Sequence, residues 1–94
     1  MERRKIEDQF KKKLKLIREK GKKHWLYYVF DGSQYIARTQ ISRTHQIISE
    51  NILGEIADQL FLNISELKDA INCPMTKEEF YSTIIRRVGE KFPS

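Results

Sequence analysis

A single cysteine, Cys73, stands in the 94 residues, so the chain can form neither an internal disulfide nor a cysteine-cluster metal site. A reducing, cytoplasmic setting is the simplest expectation, with Cys73 read as a small buried hydrophobe. The two histidines, His24 and His45, have no clustered carboxylates beside them, so neither a metal site nor a cofactor is expected. No apolar run approaches the roughly 20 residues needed to cross a bilayer. The first segment carries charge without an apolar stretch followed by small residues, which argues against a secretory leader and a membrane. Phosphate-cradling glycine loops, the glycine–x–serine–x–glycine elbow and close acidic pairs on one strand are all missing, which removes support from most enzyme classes. Repeats, low-complexity stretches and linkers are missing too, so residues 1–94 read as one domain with room for a single core.

What the chain does have is cationic charge at one end. Residues 1–23 hold eleven basic and four acidic residues, +7, whereas the other 71 residues carry −2, which together give the net +5. Positive charge crowded this way repels itself and suits a polyanion, because each phosphate it neutralises releases condensed counterions.

Along the chain, Ile6, Phe10, Leu14 and Ile17 recur at spacings of four, four and three, which predicts a helix over 3–20 stopped by Gly21. Residues 24–30 and 33–41 read as a β-hairpin around Asp31-Gly32. With a two-residue turn there, Tyr28 faces Tyr35, Leu26 faces Ala37 and His24 faces Thr39. Leu26, Phe30, Tyr35, Ala37 and Ile41 then form the core face. Trp25 and Tyr27 fall on the other face with Gln34, Arg38 and Gln40, suited to water or a ligand. Ser49 predicts a capped helix over 50–61. Asn63 with Glu66, and Thr76 with Glu79, form two capping boxes that open helices running to about residue 70 and over 77–90. The expected fold is α+β: a basic helical segment (1–23), a two-stranded antiparallel hairpin (24–41) and three helices (49–92) packed on one face of the hairpin.

Five of the ten aromatics lie in the hairpin, directly after the lysine-rich segment. Lysines beside aromatic faces suit nucleic acid, since phosphates meet the charges and each stacked base is worth roughly 1–3 kcal/mol. Lys11, Lys12, Lys15, Lys22, Lys23 and Arg38 are the candidate phosphate contacts, Trp25 and Tyr27 the candidate stacking residues, and Arg38 a candidate cation–π partner for Trp25. His24, at the junction of basic segment and hairpin, is the candidate acid–base group. His45 lies in the loop after the hairpin and can come near it in space.

Gly21-Lys22-Lys23-His24, the Asp31-Gly32 turn and Leu53 through Leu67 (LGEIADQLFLNISEL) give the chain, over about residues 10–70, a resemblance to the HicA family of small messenger-RNA-cleaving toxins. That family has a double-stranded-RNA-binding-domain-like fold. A short helix is followed by a strand bearing a glycine–serine–histidine motif, a second strand, and a helix of the leucine–x–x–isoleucine–leucine kind. The resemblance implies RNA rather than DNA as partner and His24 as general base. Two lysines stand where the motif has small residues. The extra strand the family carries between first helix and motif has no room here, because Gly21 adjoins His24, and residues 74–92 form a helix the family does not need.

The leading functional expectation is a small nucleic-acid-binding domain that contacts phosphates through the first helix and the hairpin. The alternatives are a HicA-like ribonuclease with His24 as base, and an interaction module that docks an acidic partner or a second copy of itself.

Overall fold

The computed structural model describes residues 1–72 and 74–92, which leaves Cys73 outside the description. The apolar stripe at the start of the chain is helical for only ten residues, α1 (Arg3–Lys12). Two reaching hydrogen bonds close it, Leu14 N–H to the Gln9 carbonyl at 2.9 Å and Leu16 N–H to the Phe10 carbonyl at 2.8 Å. Lys15 takes the left-handed conformation (φ 57°) that usually falls to glycine after a helix. Leu14 and Leu16 are both buried, a spacing of two that belongs to extended chain. Ile6, Phe10 and Leu14 reach the core as the stripe predicts, but Ile17 is 57% exposed.

The predicted long helix is therefore replaced beyond Lys15 by a strand, β1 (Ile17–Lys20). With β2 (His24–Asp31) and β3 (Gln34–Ser42) it forms a three-stranded antiparallel sheet in the order β1-β2-β3, not the two-stranded hairpin expected. Gly21 does not stop a helix. Its N–H donates to the His24 carbonyl at 2.9 Å, closing a turn with Lys22-Lys23 at its tip. A Cβ on Gly21 would lie 2.9 Å from that same carbonyl oxygen, so the turn requires glycine.

The register between β2 and β3 also differs from expectation. Asp31 pairs with Gln34, placing Gly32-Ser33 at the turn, with Gly32 at φ 63°. A bulge follows, because Phe30 pairs with Tyr35 but Val29 pairs with Ala37. The extra residue breaks strict alternation and sends Tyr35 and Ala37 to opposite faces. The core face is Tyr27, Val29, Ala37, Thr39 and Ile41, all buried; Leu26, Tyr28 and Phe30 lie on the outer face. Ala37 and Ile41 agree with the predicted core face, while the β2 assignment is inverted.

Three helices complete the chain: α2 (Glu50–Gln59), α3 (Ile64–Asn72) and α4 (Lys77–Lys91). Their starts follow the caps. The Ser49 hydroxyl accepts from Ile52 N–H, and both capping boxes are formed, Asn63 with Glu66 and Thr76 with Glu79. Leu53, Ile56, Leu60, Leu67, Ile71, Phe80 and Ile84 join the α1 stripe and the inner sheet face in one buried cluster.

Glu66 does a second job, holding the Arg87 guanidinium of α4 through two hydrogen bonds, one of them 2.7 Å from Nη2 to Oε2. The bond from Arg87 lowers the Glu66 carboxyl below the usual carboxylate range. A carboxyl lowered by folding stabilises the native state above its unfolded pKa, and that contribution is lost as pH falls through the folded value. Glu66→Gln is therefore expected to cost about 1–2 kcal/mol at neutral pH, after allowance for solvent screening of a partly exposed pair. The gap between variant and wild type should narrow as pH falls through the lowered Glu66 value, when both are unfolded with denaturant.

Candidate nucleic-acid interface

The predicted contact residues divide between the two ends of the sheet. At one end, the β1–β2 turn presents Lys22 and Lys23 beside His24, and His24 pairs across the ladder with Ser42. The first turn of α1 reaches the same end, where Arg3 donates to the Ser42 and Arg43 carbonyls. The helix then runs along the core face to the opposite end, where Lys13 Nζ donates to the Ala70 carbonyl at 2.8 Å. Lys11, Lys12 and Lys15 are exposed there, at the end where β1 begins. Strand β1 returns the chain to the turn. The expected single face joining the helix lysines to the hairpin rings is thus split.

Neither predicted stacking ring is free. Tyr27 is fully buried, with an edge contact to Phe10 at 5.2 Å between ring centroids and its hydroxyl donating to Glu7 Oε1 at 2.5 Å. An aromatic body can sit in a core when its polar tip has a partner, and Glu7, one helix away, supplies it. Trp25 is half-buried against the core, and its ring meets Arg18 at 4.1 Å and Arg43 at 5.2 Å. Arg38 does not reach it, because it pairs opposite Tyr28 on the outer face. The rings that do lie outside are those expected in the core. Tyr28, Phe30 and Tyr35 contact one another at 6.1–6.3 Å, and Tyr35 is 51% exposed. Only the bulge distinguishes these assignments, and no residue type announces it.

The end bearing Lys22 and Lys23 holds two adjoining clefts. Lys22, Lys23, His24, Ser42, Arg43 and Thr44 line the first. The second, of about 160 Å³, is shared by His24 and Ser42 with His45 and, from α2, Ile52, Glu55 and Gln59. His24 and Ser42 thus stand on the divide, and the two histidines open on the same space. The loop carrying His45 is fastened on both sides. Arg43 N–H donates to the Lys23 carbonyl at 3.0 Å, Thr44 N–H to the Ser42 hydroxyl at 3.3 Å, and Arg3 N–H to the Gln46 carbonyl at 2.8 Å. Ile48 N–H reaches the Met1 carbonyl at 2.7 Å.

Charge at this end is unevenly committed. The Arg43 guanidinium is spent on the Gly21 and Lys22 carbonyls and on Trp25. Lys22 and Lys23 are exposed, and among the described residues neither has an acidic partner within ion-pair distance. Among those residues, too, no group of three histidine, cysteine or carboxylate side chains is placed to hold a metal ion, and no helix is long and apolar enough to cross a membrane.

No family model, curated protein or solved structure matches this chain. The two clefts gather exposed lysines, hydroxyl-bearing residues and both histidines in one small region, residue types suited to a phosphodiester and the sugar beside it.

Proposed function

We propose that the protein binds nucleic acid, RNA before DNA, at the end of the sheet formed by the Lys22-Lys23 turn, His24 and the loop from Ser42 to His45. The observation that carries this is the placement of two exposed lysines, without an acidic partner among the described residues, at the tip of a tight turn that lines the cleft with His24 and Ser42. A turn held by glycine presents the two ammonium groups from a fixed backbone, which lowers the ordering cost of binding. The distant cluster of Lys11, Lys12 and Lys15 is a secondary contact for longer strands.

A ribonuclease of the HicA kind is the second reading, and two observations favour it. His24 and His45 line one cleft. Residues 3–59 also run helix, three antiparallel strands, helix, with Gly21 to His24 at the junction of the first two strands, which is the family's order including the extra strand before its motif.

The test is a gel shift titrated with salt, using single-stranded and duplex RNA and DNA. Changing Lys22 and Lys23 together to Glu should abolish most binding and lower the slope of log affinity against log salt by about 1.4–1.8. Charge reversal at Lys11, Lys12 and Lys15 should cost less on a short oligonucleotide. Unchanged affinity in the Lys22/Lys23 variant would remove this site. A discrete complex with an acidic protein and no retained nucleic acid would favour an interaction module instead.

A further inference from the structure

We propose that strand β1 is a track for phosphates, which lays a single strand of nucleic acid along the sheet edge from the Lys22-Lys23 turn toward Lys15. The site rests on the nucleic-acid reading above and spans about four to six nucleotides, short for a groove that follows one strand. As a structural element β1 is unusual. It is an edge of the sheet, and all four of its side chains, Ile17 to Lys20, are exposed. Its register sorts the charges. Arg18 pairs opposite Tyr27 and Lys20 opposite Trp25, so both cations lie on the helix side of the sheet. Glu19, the one acid in β1, pairs opposite Leu26 and falls on the outer face. Alternate residues of a strand stand about 6.6 Å apart, close to the separation of neighbouring phosphates along an extended nucleotide strand. Among the described residues neither Arg18 nor Lys20 has an acidic partner within ion-pair distance. The carboxylate that reaches Tyr27, Glu7, is already engaged by the Tyr27 hydroxyl and by Arg3.

Trp25 joins this track to the turn. Its ring lies 4.1 Å from the Arg18 guanidinium and 5.2 Å from that of Arg43, which in turn donates to the Gly21 and Lys22 carbonyls. Half-buried against the core, the indole is a fixed plate on which the long Arg18 side chain is ordered before a ligand arrives. A guanidinium stacked by its face keeps the N–H groups of its edge for phosphate oxygens. At the other end Lys15 is exposed, just before the strand, in its left-handed conformation. The track thus connects the two cationic ends that the fold separates. A single strand can follow such a straight edge, whereas the phosphates of a duplex curve around its axis.

The test uses the full chain, oligouridylates of about two to ten nucleotides and a duplex RNA of matching length. Trp25, the one tryptophan, reports occupancy through its emission. Affinity should rise steeply up to about six nucleotides and slowly beyond, with a change in Trp25 emission on binding. Changing Arg18 and Lys20 together to Gln should lower the slope of log affinity against log salt by about 1.4, that is about 0.7 for each lost contact. The loss should be the same for every base sequence. Lys20→Gln alone, at an exposed position, should lower the slope by about 0.7 at an unchanged melting temperature, so a folding defect at Arg18 does not decide the matter. Unchanged affinity and slope in both variants, with binding still lost in the Lys22/Lys23 variant, overturns the track and leaves the turn site standing. Arg18 and Lys20 are then guards of an exposed sheet edge. A wild type that retains no oligonucleotide removes the track and the reading together. Tighter binding of the duplex than of the single strand overturns the assignment to one strand.

Discussion

Phe10→Ala is expected to destabilise the protein by about 3–5 kcal/mol, the range for deleting a buried aromatic ring. Phe10 is fully buried on the stripe of α1 and meets Tyr27 edge-on at 5.2 Å. The ring joins the first helix to the central strand, so its loss leaves a void between layers that cannot simply slide together. A domain of this size typically has about 5–15 kcal/mol in all. The variant should therefore show a denaturant midpoint lowered by about a fifth or more, or no cooperative transition at physiological temperature. Phe10→Leu, which refills most of the volume, should cost about 1.5 kcal/mol or less. Equal midpoints for Phe10→Ala and wild type would show that α1 contributes little to the core.

Glu7→Ala is expected to cost about 2–4 kcal/mol, although glutamate to alanine on a helix ordinarily costs nothing. Glu7 is buried, accepts from the Tyr27 hydroxyl at 2.5 Å and lies 3.3 Å from Arg3 Nε. Its removal strands a buried hydroxyl and an arginine that also holds the carbonyls of Ser42 and Arg43. Glu7→Gln keeps an acceptor for the hydroxyl and should recover part of the loss. Tyr27 gives a second readout. Burial first, and then the Glu7 hydrogen bond, push its phenol well above the ordinary tyrosine value. A raised folded pKa gives a contribution that is complete below the unfolded value of about 10 and drains away as pH rises past it, because the unfolded chain ionises first. Alkaline titration followed by ultraviolet absorbance should show Tyr27 ionising only together with unfolding. Early, reversible ionisation of all four tyrosines would contradict its burial.

The helical half of this fold was legible because its signals are local. A cap and its N3 partner lie three residues apart, and the chain obeys them at Asn63 and Thr76. The first half was not, because its deciding interactions join residues far apart. Periodicity over Ile6 to Ile17 is helical to the end, yet Lys15 turns left-handed and Leu16 enters the core as part of an extended chain. Gly21 carried a true signal, close backbone approach, that a helix stop imitates. The hairpin departs twice: its turn falls on Gly32-Ser33 rather than Asp31-Gly32, and a bulge at Ile36 inverts every face on β2, for which a period of two has no tolerance. Of the candidate site, Lys22, Lys23 and His24 fall together as their adjacency implies. The proximity of His45 is suggested by its loop, whereas Ser42 enters through the observed register, which sets it opposite His24, and Glu55 through the way α2 lies along β3.

The loop bearing His45 is stitched to the first three residues of the chain, some forty positions away in sequence. Such long-range stitching makes the amides of Arg3 and Ile48 reporters of one opening event, so the two should exchange with solvent deuterium at matched rates. Whenever the first turn of α1 frays, the wall of the cleft goes slack with it. Readiness of the site and order at the leading end of the polypeptide are therefore a single equilibrium, open to adjustment by anything that grips that end.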